Sequence, residues 1–349
     1  MQDFLNSFKN LIKSDDTRTD SNVFKLHYKF TVILLVVFSI LLSSKQYFGD
    51  PISCDVNDKK ETVDVFCWVS GTFIRPDTVT SQTLAAYKLA GLGNPVGTEI
   101  YTLFYYQWVC LLFCIQALMF YIPRYLWKSW EGNRLEIIVK DLRGPLSPDK
   151  WSADYKDKIT NFMFCTRDHN AYALSYAFCE LLSLGNLILQ VFFMDWYLGG
   201  KFARYGYEVA TKPWPVAYNA VFPKRTMCIY TTFGPSGGIN VIDALCVLPL
   251  NVLNEKFFLI LWYWIIFLFP VTIGALIYRA VVLTTKQFRA ILLKAQIRQL
   301  PTSEANTIAY NLSYGQFFIL YNIGKNLNPM VFHELLVCIA SRCKSYVHL

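Results

Sequence analysis

The sequence predicts an all-α polytopic membrane protein with four transmembrane helices per subunit, a small disulfide-stapled, β-containing extracellular region and a helical cytoplasmic dome. Three observations carry this. Four apolar stretches each reach the length of about 20 residues that a helix needs to cross a hydrocarbon core of ~30 Å. Two loops on one side of those stretches each hold two cysteines, Cys54 and Cys67 in the first, Cys228 and Cys246 in the second. Basic charge lies on the other side: the cysteine loops with Lys45 at their edge balance 11 Lys and Arg against 11 Asp and Glu, whereas the N-terminus, the loop 124–170 and the tail with Arg279 hold 22 against 13, an excess of +9 that Glu180 in span three brings to the total of +8. Composition agrees, because 54% hydrophobic and only 17% charged residues are too apolar a mixture for an ordinary soluble domain.

The N-terminal segment, 1–27, opens on an amphipathic helix. Phe4, Leu5, Phe8, Leu11 and Ile12 fall on one face, and Asp3, Asn6, Lys9, Asn10 and Lys13 on the other. Taken alone, that pattern suits a helix lying on the inner membrane surface. Span one, 28–45, is centred on Phe30 to Leu42 and bounded by Lys25, Lys29 and Lys45. Its long preceding segment and the lack of a small-residue cleavage site argue against a signal peptide. The first extracellular loop, 46–100, contains an alternation of Val63, Val65 and Cys67 with Thr62, Asp64 and Phe66, so Glu61 to Trp68 reads as a short strand.

Span two, 101–127, carries Cys110 and Cys114 on one helical face. The cytoplasmic loop, 128–170, begins with a helix after Trp130 that holds Arg134, Glu136, Lys140, Asp141 and Arg143. Span three, 171–194, contains Glu180; a carboxylate at bilayer depth demands a partner or a water-filled cavity, whether it serves function or an interhelical hydrogen bond. The second extracellular loop, 195–256, offers a strand from Thr226 to Phe233 and a turn at Gly234-Pro235-Ser236-Gly237-Gly238, residue types that fix or free φ. Span four, 257–283, contains Pro270, whose missing donor kinks a helix. The tail, 284–349, has Ile291, Leu292 and Phe317 to Leu320 as apolar material for folded helices. Tyr101, Tyr105, Tyr106, Trp127, Trp130, Trp196 and Tyr197 mark the span ends, at headgroup depth.

Positive charge marks the cytoplasmic side, so both termini are inside and the cysteine loops face an oxidising exterior. Four external cysteines permit three connectivities. The other six, Cys110, Cys114, Cys165, Cys179, Cys338 and Cys343, read as packing residues or free thiols. With four histidines, no C-x-x-C and no phosphate loop or nucleophile elbow, the sequence supports no enzyme, metal, cofactor or nucleic-acid reading.

At the start of span two, Tyr105-Tyr106-Gln107-Trp108-Val109 resembles the signature pentapeptide of the innexins, the invertebrate gap-junction proteins. Further segments extend the likeness: Gln46 to Cys54 and Phe66-Cys67-Trp68 in the first loop, Tyr121 to Trp127 at the end of span two, and Phe233-Gly234-Pro235-Ser236-Gly237 in the second loop. So do Cys246 to Lys256 and, in the tail, Gly324 to Pro329. The resemblance covers about Thr19 to Leu336, with a short cytoplasmic loop and tail. It implies disulfides that bridge the loops, Cys54 to Cys246 and Cys67 to Cys228. It also implies an N-terminal helix folded into the cytoplasmic mouth of a pore, with Asp3, Asn6 and Lys9 towards permeating ions and Phe4 and Phe8 against span one.

The function that follows is a gap-junction channel subunit at the plasma membrane, forming a wide pore for passive passage of ions and small metabolites, docked or as a hemichannel. Its partners are copies of itself in a ring, an octamer by resemblance, a hemichannel of the adjacent cell, other innexins and membrane lipid. Neither external loop contains a glycan acceptor; the sole match, Asn311-Leu312-Ser313, lies in the tail, so the docking face, with Phe233 to Gly237, is free of sugar. The alternative is a non-conducting four-span adhesion or scaffold protein, but the W-x-x-W-C and C-C-G signatures of claudins and tetraspanins are missing.

Overall fold

A computed structural model describes residues 17–56, 59–75, 91–92, 100–140, 151–165, 168–211 and 221–347. Four of its helices are long and apolar enough to cross a membrane: α1 (Asn22–Phe48), α3 (Val109–Glu131), α6 (His169–Tyr197) and α8 (Pro249–Thr284). Shorter helices are α2 (Lys60–Ser70), α4 (Arg134–Val139), α5 (Ala153–Cys165) and α7 (Phe202–Thr211). The tail adds α9 (Lys286–Gln296), α10 (Thr302–Asn311), α11 (Tyr314–Gly324) and α12 (Pro329–Val347). Strands are β1 (Ser53–Asp55), β2 (Thr72–Ile74), β3 (Tyr101–Leu103), β4 (Arg225–Phe233) and β5 (Ile239–Val247).

The helix boundaries depart from the expected spans where backbone hydrogen bonding and apolar composition part company. Helix α1 starts six residues before span one, at a Ser21 cap whose Oγ accepts the Phe24 N–H at 3.2 Å, and passes through a π-helical turn, Leu26–Thr31. Helix α3 starts only at Val109. The first residues of the expected span two instead form β3 and a 3₁₀ turn, Tyr105–Gln107, because β3 pairs with β2. Helix α8 starts at Pro249, a residue suited to a first turn, and runs on through Pro270. Glu255 and Lys256 ended the apolar count but not the helix: Glu255 is fully buried and paired with Lys224 at 2.7 Å and Lys256 at 2.8 Å.

The chain forms two compact units, and each of the four long helices contributes to both. One unit comprises Met1–Phe30, Phe120–Gly185 and Pro270–Leu349. Its core joins Phe24, Trp127 and Tyr176 to Phe317, Phe318 and Phe332 of the tail. The tail is helical, as expected, with α11 opened by a reciprocal cap between Ser313 and Gln316. Gly315 lets α11 meet the first turn of α6, since a Cβ there would lie 2.2 Å from the His169 carbonyl. Two buried ion pairs cross this unit. Arg124 holds Asp20 at 2.7 Å, and Arg279 of α8 holds Glu180 of α6 through Nε and Nη2, both at 2.8 Å. The intramembrane carboxylate therefore has a cation as well as the Ser21 hydroxyl, which donates to it at 3.1 Å.

The other unit comprises Thr31–Met119 and Asn186–Phe269. It holds a five-stranded antiparallel sheet in the order β1-β5-β4-β2-β3. Helix α7 packs on α8 through Gly206, where a Cβ would lie 2.1 Å from the Trp262 ring, and Phe38 of α1 stacks on Phe257 of α8 at 4.3 Å.

Residues 61–68 correct the sequence reading: they are helical, in α2, not a strand. Val63 and Cys67 are fully buried, and a separation of four residues satisfies both a two-residue and a 3.6-residue period. Val65 discriminates. A strand would bury it with the other two, and it is 65% exposed.

Candidate functional site

The sheet and α2 build a platform around the two disulfides. Strand β4 runs antiparallel to β5 from Arg225 opposite Val247 to Phe233 opposite Ile239, and β1 flanks β5 with Cys54 directly opposite Cys246. That juxtaposition is closed by the Cys54–Cys246 disulfide, while Cys67–Cys228 ties α2 to β4. The connectivity is the one the family resemblance implied. The bridges close sequence separations of 192 and 161 residues, so each removes much freedom from the unfolded chain, worth about 2–5 kcal/mol. The Asp64 carboxylate accepts the Cys54 N–H at 2.6 Å and pins the start of β1 to α2.

Around the bridges lies a small core of Ile52, Val63, Ile74, Leu103, Ala244 and Leu248. Its burial depends on the strand period. In β4, Thr226 and Cys228 are buried, but from Thr231 onwards the hairpin leaves this core. The distal half presents Phe233, Ile239 and Val241, 76%, 72% and 57% exposed. At its tip the Gly234 N–H donates to the Gly238 carbonyl at 2.8 Å and the Gly237 N–H to the Gly234 carbonyl at 2.9 Å. Gly237 has φ +78°, a left-handed conformation that glycine adopts without strain, and Pro235 and Ser236 are exposed between them. Phe233, Gly234, Pro235, Ser236 and Gly237 thus form one projecting turn on a stapled base.

The pentapeptide joins this platform to α3. Tyr106 is buried and its ring lies 5.0 Å from Trp68, next to the disulfide residue Cys67. Burial raises its phenol above the ordinary value, so the ring stays neutral. The Gln107 side-chain amide donates to the Trp68 carbonyl, and the Tyr105 carbonyl accepts from the Tyr197 hydroxyl at 2.6 Å. Val109 is buried in the first turn of α3, whereas Trp108 is 58% exposed. Four of the five residues thus tie the start of α3 to α2, α6 and the core around the disulfides, and the fifth faces outwards.

Asp3, Phe4, Asn6, Phe8 and Lys9 lie outside the described residues. Among the described residues, the one cluster of three metal-binding side chains is Cys54, Cys67 and Cys246, whose sulfurs are spent in disulfides. Cys110, Cys114, Cys179, Cys338 and Cys343 are free; the side chain of Cys165 lies outside the described residues. The sequence reading missed β1, β2 and β3, whose three-residue runs are too short for a periodic signal, although Thr72-Phe73-Ile74 has the composition of a strand, and it also missed β5, the nine-residue partner of β4. It also left Glu180 without a named partner, because Arg279 is 99 residues away along the chain.

A family model described as Innexin matches residues 20–343. Innexin inx2 of Drosophila melanogaster is 40% identical over 348 residues, covering 96% of this chain and 94% of that protein. Innexin inx2 of Schistocerca americana is 40% identical over 353 residues, 98% of each. Innexin shaking-B of Drosophila melanogaster is 34% identical over 358 residues, 98% of this chain and 95% of that protein.

Proposed function

The chain belongs to the innexin family, and from that premise we propose that it acts as a gap-junction subunit in a ring, eight-membered by likeness to the family, around a wide pore. It is a multi-pass plasma-membrane protein of the gap-junction class. Ions and small metabolites cross the pore by diffusion, so the chain needs no catalytic group. The charge distribution of the sequence supports both termini on the cytoplasmic side. The amphipathic segment with Asp3, Asn6 and Lys9 on its polar face suits the cytoplasmic mouth of the pore, where Phe4 and Phe8 would rest on its wall.

The observation that favours docked intercellular channels over hemichannels alone is the projecting hairpin. Its base is covalently tied, so its tip keeps one shape, and that tip is largely apolar, free of glycan acceptors and carried on loops whose net charge is near zero. Two such faces related by a two-fold axis make a self-complementary contact without like-charge repulsion. Family membership favours a conducting assembly over a four-span scaffold. The test is paired-cell recording with this chain as the only channel expressed. Junctional current and small-dye transfer are expected. Single-cell current without cell-to-cell current, despite surface delivery in both cells, would remove docking, and neither current would remove the channel.

A further inference from the structure

The unit that contains the tail encloses a cavity of about 250 Å³ between α6, α8, α9, α11 and the start of α1 with the residues before it. One wall is apolar, with Val282, Leu292 and Phe317. The other carries two cations and one carboxylate, Arg279, Lys325 and Glu180. Glu180 takes both of its strong hydrogen bonds from Arg279, so that pair is electrically closed. Lys325 stands at the mouth, its ammonium 4.5 Å from the centre of the Tyr321 ring, with no carboxylate paired to it among the described residues. The cavity thus has an excess charge of one, two cations less one carboxylate.

A second observation points the same way. Asn322 lines the cavity and is 3% exposed, yet its side-chain amide makes no hydrogen bond among the described residues; only its backbone carbonyl is used, by Asn326. An amide that lines a cavity has its N–H donors available to a ligand there. Lys325 and Asn322 belong to or adjoin the Gly324-Lys325-Asn326-Leu327-Asn328-Pro329 run, to which the channel function assigned no role. The cavity also lies at a fitting depth. Tyr278 is six residues from the end of α8 at Thr284, or roughly 9 Å along the helix, close to the headgroup layer for a helix that spans the bilayer.

We propose that this cavity binds a phosphate-bearing anion, with Lys325 as its counter-charge and the Asn322 amide as a neutral hydrogen-bond donor. Phosphate oxygens accept several charge-assisted bonds at once, and basic pockets at the ends of membrane helices take lipid headgroups on this principle. The apolar wall suits the carbon skeleton that carries the phosphate. Two sources supply such a group, the headgroup of an acidic phospholipid and a soluble phosphate ester.

Binding is measured on the detergent-purified full chain with three probes: dioctanoyl phosphatidylinositol bisphosphate, inositol trisphosphate and dioctanoyl phosphatidylcholine. The first is expected to bind saturably and the third not at all. Lys325→Gln should weaken the phosphoinositide about ten-fold, Lys325→Arg should keep it, and Asn322→Leu should weaken it with the same probe order. Equal binding of inositol trisphosphate identifies the soluble ester as the source; binding of the lipid alone identifies the membrane leaflet. The proposal is overturned by absence of binding to both phosphorylated probes, by equal binding of phosphatidylcholine, or by wild-type affinity in Lys325→Gln.

Discussion

Glu180 and Arg279 show how one buried residue constrains another. The carboxylate is 8% exposed and the guanidinium 14%, and the charged side chain of Arg279 also lies over the rings of Tyr176 at 4.8 Å and Phe318 at 5.3 Å. Such a pair gains little over an apolar pair of equal volume, but breaking it strands a charge. Arg279→Leu should therefore cost about 3–5 kcal/mol, whereas Glu180→Leu combined with Arg279→Leu should cost clearly less. Thermal midpoints of the purified particle decide it: a double variant as unstable as the single would show that packing, not charge, is what the pair supplies. Cys343 is a simpler case at this scale. It is 1% exposed and burial pushes its thiol up, so it is a packing residue and not a reactive one, which agrees with its sequence reading.

At the scale of elements, α2 is the part of the platform where periodicity misled. Val63 and Cys67 meet the core one helical turn apart, with Val65 and Val69 on the far side, 65% and 68% exposed. Glu61 in the first turn faces the positive end of the helix dipole, which favours helix over strand. Substitution separates the two geometries. Val63→Asp should abolish surface delivery with both disulfides formed, because it buries a charge beside Cys67, and Val65→Asp should leave delivery near wild type. In a strand both valines would share a face and both variants would fail. The thiol count of surface-labelled protein reads the outcome. The disulfides illustrate a different kind of legibility: four loop cysteines allow three pairings, and neither their spacing nor their composition selects among them. The likeness to a known family did so, and the register that sets Cys54 opposite Cys246 gives that choice its physical basis.

For the whole molecule, the docking proposal rests on a contrast within a single hairpin. The proximal half of β4 and β5 is packed against α2 and the disulfides, and the distal half is exposed. Phe233→Asp places a charge at the tip without touching the stapled base. It should cut junctional conductance at least ten-fold, because like charges would meet across a two-fold contact, and leave undocked single-cell current within about two-fold of wild type. Loss of both currents together would mean that the tip serves folding or delivery and not docking.

The amino-acid sequence by itself determined the number of long apolar helices and the loops that carry the cross-links, and its charge pattern supports the side proposed for each loop. Those properties depend on length and composition: a hydrocarbon core counts apolar residues, and the positive-inside bias counts charges, with no reference to which residues touch. Only the tertiary structure decided that 61–68 is helical, that the second long helix waits until Val109, that Glu180 answers to Arg279, and that Asn322 and Lys325 look into one cavity. Each of these depends on a partner far away in the chain. A short run of two-residue alternation or an isolated charge has several equally good local solutions, and the choice among them is made by packing, which no local pattern contains.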